Sequence, residues 1–99
     1  MTEDATRDAQ EKQRLEQTLA SCHQQINSLN MELSEIDSAI EGCKGKDKVY
    51  RILGNIMVES DSDKVSKDLE EQRKSIVEKI SSIEDYKKKI ESKIKDSNN

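Results

Sequence analysis

Val49-Tyr50-Arg51-Ile52-Leu53-Gly54-Asn55-Ile56-Met57-Val58-Glu59 breaks the helical period of an otherwise helix-patterned chain of 99 residues. It is the most β-prone stretch of the sequence, and Gly-Asn at its centre is a two-residue hairpin signal of the type II′ kind. A loop across Gly54 and Asn55 predicts Leu53 opposite Ile56, Ile52 opposite Met57 and Arg51 opposite Val58. Side chains alternate along a strand, so one face carries Val49, Leu53, Ile56 and Val58, and the other carries Tyr50, Ile52 and Met57. Both faces are apolar. A lone two-stranded hairpin is marginal in water, and its two open edges invite other strands. These seven residues are therefore expected to pair with other subunits in a shared barrel or sheet.

On the N-terminal side, Leu15, Leu19, Cys22, Ile26, Leu29, Leu33, Ile36 and Ile40 follow an unbroken alternation of four and three. That is the a/d seam of a coiled coil. Met1 to about Asp8 reads as a frayed tail, and Gly42 and Gly45 supply the helix stop and the turn. On the C-terminal side, Leu69, Arg73, Ile76, Ile80, Ile83, Lys87, Ile90 and Ile94 repeat the spacing, with Val65 one turn earlier. Ser60-Asp61-Ser62-Asp63 offers N-cap residues just before this run.

If the chain reverses at the hairpin, facing seam residues have numbers with a constant sum. Ile40 with Val65, Ile36 with Leu69, Leu29 with Ile76, Ile26 with Ile80, Cys22 with Ile83 and Leu15 with Ile90 all give 105 or 106. Two unrelated seams need not agree in this way. The expected fold is mainly α: a long antiparallel α-helical coiled coil with one β-hairpin at the bend. It forms one domain over residues 1–99, with helix 1 over about 9–41, the hairpin over about 49–59 and helix 2 over about 62–95. The register weakens away from the hairpin, where Lys87 faces Leu19 and Ile94 faces Glu11 or Lys12.

Composition agrees with a long-helix chain that buries one narrow seam. Hydrophobic residues make up 31% and charged residues 38%, there is no Trp, Phe or Pro, and the aromatics are Tyr50 and Tyr86. A net charge of −4 gives no electrostatic footprint for nucleic acid and disfavours anionic membranes. No basic region precedes the first seam, which excludes a DNA-binding zipper. No apolar run approaches the roughly 20 residues of a membrane span. Met1 to Glu11 is polar and acidic, unlike a signal or transit peptide. Cys22 and Cys43 read most simply as reduced thiols of a cytosolic protein.

With its Tyr-Arg-apolar-apolar-Gly run followed by Val-Glu, the stretch Val49 to Asp61 resembles the prefoldin family. It is similar to the β-type subunits, which carry a single hairpin, and most like the eukaryotic subunit-2 type. The resemblance implies an ATP-independent co-chaperone of the cytoplasm, a hetero-hexamer with other prefoldin subunits whose hairpins form central barrels. It further implies that unfolded clients, actin and tubulin above all, are held at the coiled-coil tips and passed to the cytosolic chaperonin. No cofactor, nucleic acid or membrane is implied. A different class of function is an antiparallel coiled-coil adaptor that recruits a folded partner. An adaptor has no need of two apolar strand faces at its bend.

Several residues carry two readings. Leu15, Leu19, Ile90 and Ile94 are either client-binding tip residues or ordinary seam residues that fray. Lys87, Lys88, Lys89, Lys93 and Lys95 either meet acidic partners or complement the helix macrodipole, and the second is the simpler reading. Arg73 is either a register device or a side chain that snorkels to the edge of the seam. His23 beside Cys22 lacks the further ligands a metal needs. Cys43 is expected in a flexible loop, with nothing to activate it. One His and no phosphate-binding Gly loop leave catalysis without residues to host it.

Overall fold

The computed structural model describes the backbone of residues 2–97 and the side chains of residues 6–96. Four elements follow one another: α1 (Thr2–Cys43), β1 (Lys48–Leu53), β2 (Ile56–Asp61) and α2 (Ser62–Ser97). They gather into two compact units, one made of Met1–Leu29 with Lys79–Asn99 and the other of Asn30–Glu78. Both helices contribute to each. The helix α1 starts well before the expected residue 9, because no Gly or Pro falls between residues 2 and 8 to stop it.

In the unit of residues 30–78, β1 and β2 pair antiparallel, with Leu53 opposite Ile56, Ile52 opposite Met57 and Arg51 opposite Val58, as the two-residue loop requires. Gly54 has φ +62°, while Asn55 keeps a negative φ. That combination matches the type II′ turn, in which only the first central residue needs the left-handed region. The ladder runs further than expected, through Lys48 opposite Asp61. The Ser62 N–H donates to the Asp47 carbonyl at 3.0 Å and carries the pairing to the first residue of α2.

The join between helices and hairpin corrects the expectation for Cys43. It is not in a flexible loop; it is the buried last residue of α1. Gly45, at φ +72°, makes the turn out of the helix, and Gly42 lies within it. Cys43 is three residues beyond Ile40, so it is the next seam position. Its partner by the constant sum is Ser62, and the structure joins the two. Ser62 is only 3% exposed, and its Oγ–H donates to the Cys43 carbonyl at 2.8 Å. This bond satisfies one of the carbonyls left without an intrahelical partner at the end of α1. The first turn of α2 is capped by Asp61, whose Oδ1 accepts the Asp63 N–H at 3.0 Å. Ser62→Ala is expected to cost about 1 kcal/mol. Its thermal midpoint, followed by circular dichroism, should fall by roughly 4–8 °C.

Arg73 makes a second polar link between the helices of this unit. Its Nε donates to Asp37 Oδ1 across the two helices at 2.7 Å. That hydrogen bond to the Asp37 carboxylate raises the Arg73 pKa above its ordinary value. Arg73 is half-buried, and its head reaches a carboxylate on the opposite helix. Arg73→Leu should raise the thermal midpoint by about 5 °C, since a charged seam residue stabilises less than an apolar one. A lower midpoint would show that the ion pair outweighs the seam.

In the other unit, Leu15, Cys22 and Ile90 are buried, and Leu19, Ile26, Leu29, Ile80, Ile83, Lys87 and Ile94 are half-buried. The unit contains only two helical segments, so each apolar seam can be covered only by the other. Lys12, three residues before Leu15, is half-buried as well and extends the seam by one position.

Candidate functional site

The hairpin concentrates the exposed apolar surface of the chain. Tyr50, Ile52, Leu53, Ile56 and Met57 are all exposed, with Ile52 the most open at 73%. Val58, at 38%, is less open, and Val49 is half-buried. The two faces differ in a way that alternation alone does not show. The face bearing Tyr50, Ile52 and Met57 is open along its whole length. The face bearing Val49, Leu53, Ile56 and Val58 is shielded at its base and open near the turn.

Arg51 adds a polar link on the shielded side. It lies on the shielded face, opposite Val58, and its Nη1 is 3.7 Å from Asp68 Oδ2 on α2. Both groups are partly solvated, so the pair contributes at most about 1 kcal/mol. It links the shielded face of the hairpin to α2, and the other face makes no such link among the described ion pairs. Exposed residues scattered singly mean little, whereas a contiguous apolar patch marks an interaction surface. Here Tyr50, Ile52 and Met57 lie on successive same-face rungs of two paired strands.

The four residues considered as tip sites lie in the unit of residues 1–29 and 79–99, and all fall in its seam. Leu15 and Ile90 are buried, and Leu19 and Ile94 are half-buried. Tyr86 is the exposed large apolar side chain of that unit's α2 segment. Among the described residues no group of His, Cys, Asp and Glu could hold a metal ion, and no helix is long and apolar enough to cross a membrane. Cys22 and Cys43 are both free and buried. Sequence reading missed Ser62 and Arg51. The constant sum, taken one layer past Ile40, would have found Ser62.

The single hairpin between two helices recurs in known proteins. A family model described as prefoldin subunit matches residues 7–99. The chain belongs to the prefoldin subunit family. It is similar in structure to the prefoldin beta subunit from Thermococcus strain KS-1, with a TM-score of 0.87 and 22% sequence identity over 96% of this chain and 86% of that one. No curated protein matches it significantly in sequence. The one-hairpin architecture is that of a β-type prefoldin subunit. Membership makes it a chaperone subunit, with other prefoldin subunits as its partners.

Proposed function

We propose that this chain is the subunit-2 type of a eukaryotic prefoldin, one member of a cytoplasmic hetero-hexamer that works without ATP. In this reading the hairpin residues Val49, Tyr50, Ile52, Leu53, Ile56, Met57 and Val58 assemble the hexamer. The helix ends of residues 1–29 and 79–97 hold unfolded polypeptides, actin and tubulin among them, for transfer to the cytosolic chaperonin. The observation that carries it is the two-faced apolar hairpin on a prefoldin-family chain. A coiled-coil adaptor would expose such a surface without use.

Client capture draws support from two weak seam layers. By the register, Lys12 stands across from Ile94 and Lys87 across from Leu19, on either side of the layer of Leu15 and Ile90. A lysine in a seam position stabilises less than an apolar residue there, so these ends separate more easily than the rest. Separation would offer Leu15, Leu19, Ile90 and Ile94 to a client without fixed shape. The test is suppression of aggregation of denatured actin by the purified assembly. Shortening this chain to about residues 19–87 should leave the number of subunits unchanged and reduce suppression. Undiminished suppression would count against capture by this subunit's helix ends.

A further inference from the structure

We propose that one strip of α2, formed by Lys79, Tyr86, Lys89 and Lys93, binds acidic unfolded polypeptide segments, and does so with the helix seam closed. The inference rests on the reading of residues 1–29 and 79–97 as the client-holding part, and names the class of segment this subunit takes. At about 100° per residue, a helix sets Lys79, Ser82, Lys89 and Lys93 within about 60° of Tyr86 around its axis. All five are exposed, Tyr86 at 50%. The seam residues Ile83 and Ile90 border the same arc, and no Asp or Glu falls within it. None of the three lysines is in an ion pair among the described residues.

The far side of α2 is different. There Lys88 follows Glu84, and Lys95 follows Glu91, at the four-residue spacing that balances charge along a helix. On the strip, Lys89 has Asp85 at that spacing, but Lys79 and Lys93 have no such acid. The other helix supplies no counter-charge beside it, since α1 carries no charged residue from Gln17 through Leu29 in the same unit. A chain of net charge −4 thus gathers unbalanced positive charge around an exposed aromatic ring. From Lys79 to Lys93 the helix rises about 21 Å, which an extended segment of about six residues spans. Ammonium groups on flexible stems impose no fixed fork geometry, so they suit carboxylates on a segment without fixed shape. Tyr86, in the middle of the strip, offers its ring to an apolar side chain of that segment. An anionic polymer without apolar groups would leave the ring unused.

The test uses the assembly purified through a tag on this chain, and a probe peptide of Asp and Glu with one central Phe. A carbodiimide joins the peptide's carboxylates to the lysines they meet, and mass spectrometry locates the links on this chain. Links at Lys79, Lys89 and Lys93 should exceed those at Lys88 and Lys95 roughly fivefold, although all five are exposed. They should weaken as salt is added. Lys79→Gln with Lys93→Gln should lower linking at Lys89 roughly fivefold. Lys88→Gln with Lys95→Gln removes the same charge from the far side and should leave Lys89 unchanged. Gln matches Lys in helix propensity, so both variants keep the helix. Tyr86→Ala should lower linking roughly threefold. Lys12→Leu with Lys87→Leu strengthens the weak seam layers, and linking should persist. Equal linking on both sides, a Lys89 signal that follows total charge, no effect of Tyr86→Ala, or loss of linking in the strengthened seam would each overturn the proposal. So would polyphosphate that displaces the probe better than unlabelled peptide of equal charge, which would make the strip a general polyanion site. Undiminished suppression of aggregation by the shortened chain removes the client-holding reading; loss of the preference for the strip removes only this one.

Discussion

Ile56→Asp together with Val58→Asp should release the chain from its partner subunits while leaving both helices formed. Ile56 is among the most exposed apolar residues of the chain, and Val58 is beside it on the same strand face two positions along. Burying an Ile or Val side chain contributes about 1.5–3 kcal/mol, and a carboxylate put in its place must also be desolvated. The combined loss of at least about 3 kcal/mol corresponds to a roughly hundredfold weaker assembly. Neither residue contributes to the helix seams, so the helical circular dichroism signal should be unchanged. Co-purification of the variant with partner subunits at the wild-type ratio would show that the hairpin does not assemble the complex.

The second large effect is expected at Ile90, which is 4% exposed and lies in the seam of residues 1–29 and 79–99. Large-to-small changes at buried Ile positions cost about 2–5 kcal/mol. A seam between only two helices lets water reach the gap, so the lower part of that range, about 2–3 kcal/mol, is expected for Ile90→Ala. The loss should be local. Amide hydrogen exchange should quicken over residues 79–97 and in α1 near Leu15, with the hairpin amides protected as before. Ile90→Leu conserves volume and should cost less than about 1.5 kcal/mol. Uniform loss of protection through residues 48–61 would show that the two units open together.

These two sites also show what sequence makes legible. Every seam position named from the alternation of four and three is buried or half-buried, from Leu15 to Ile40 and from Val65 to Ile94. Period and constant sum are properties of backbone geometry, so they can be read without side-chain detail. The hairpin register is legible for the same reason, since a Gly-Asn loop of two residues permits one pairing. The place of Ser62 opposite Cys43 follows from the constant sum, but three side-chain roles were not legible, because each depends on which of two partners a polar group finds. Ser62 reads as one of four cap residues, yet Asp61 makes the cap and Ser62 closes the seam under Cys43. Arg51 reads as a strand residue, yet it reaches Asp68 on α2 from the shielded hairpin face. Arg73 had two readings, and its head is now seen to reach Asp37, which lies outside the seam on the opposite helix. The tip residues were named from a failing register, and the structure places all four within the seam.

The most direct test of the account is the native mass of the assembly purified through a tag on this chain. The mass expected is that of a hexamer that contains this chain and whose other members are all prefoldin subunits, and that falls apart when Ile56 and Val58 are replaced by Asp. A stable monomer, or a complex with one folded partner outside the family, would contradict it.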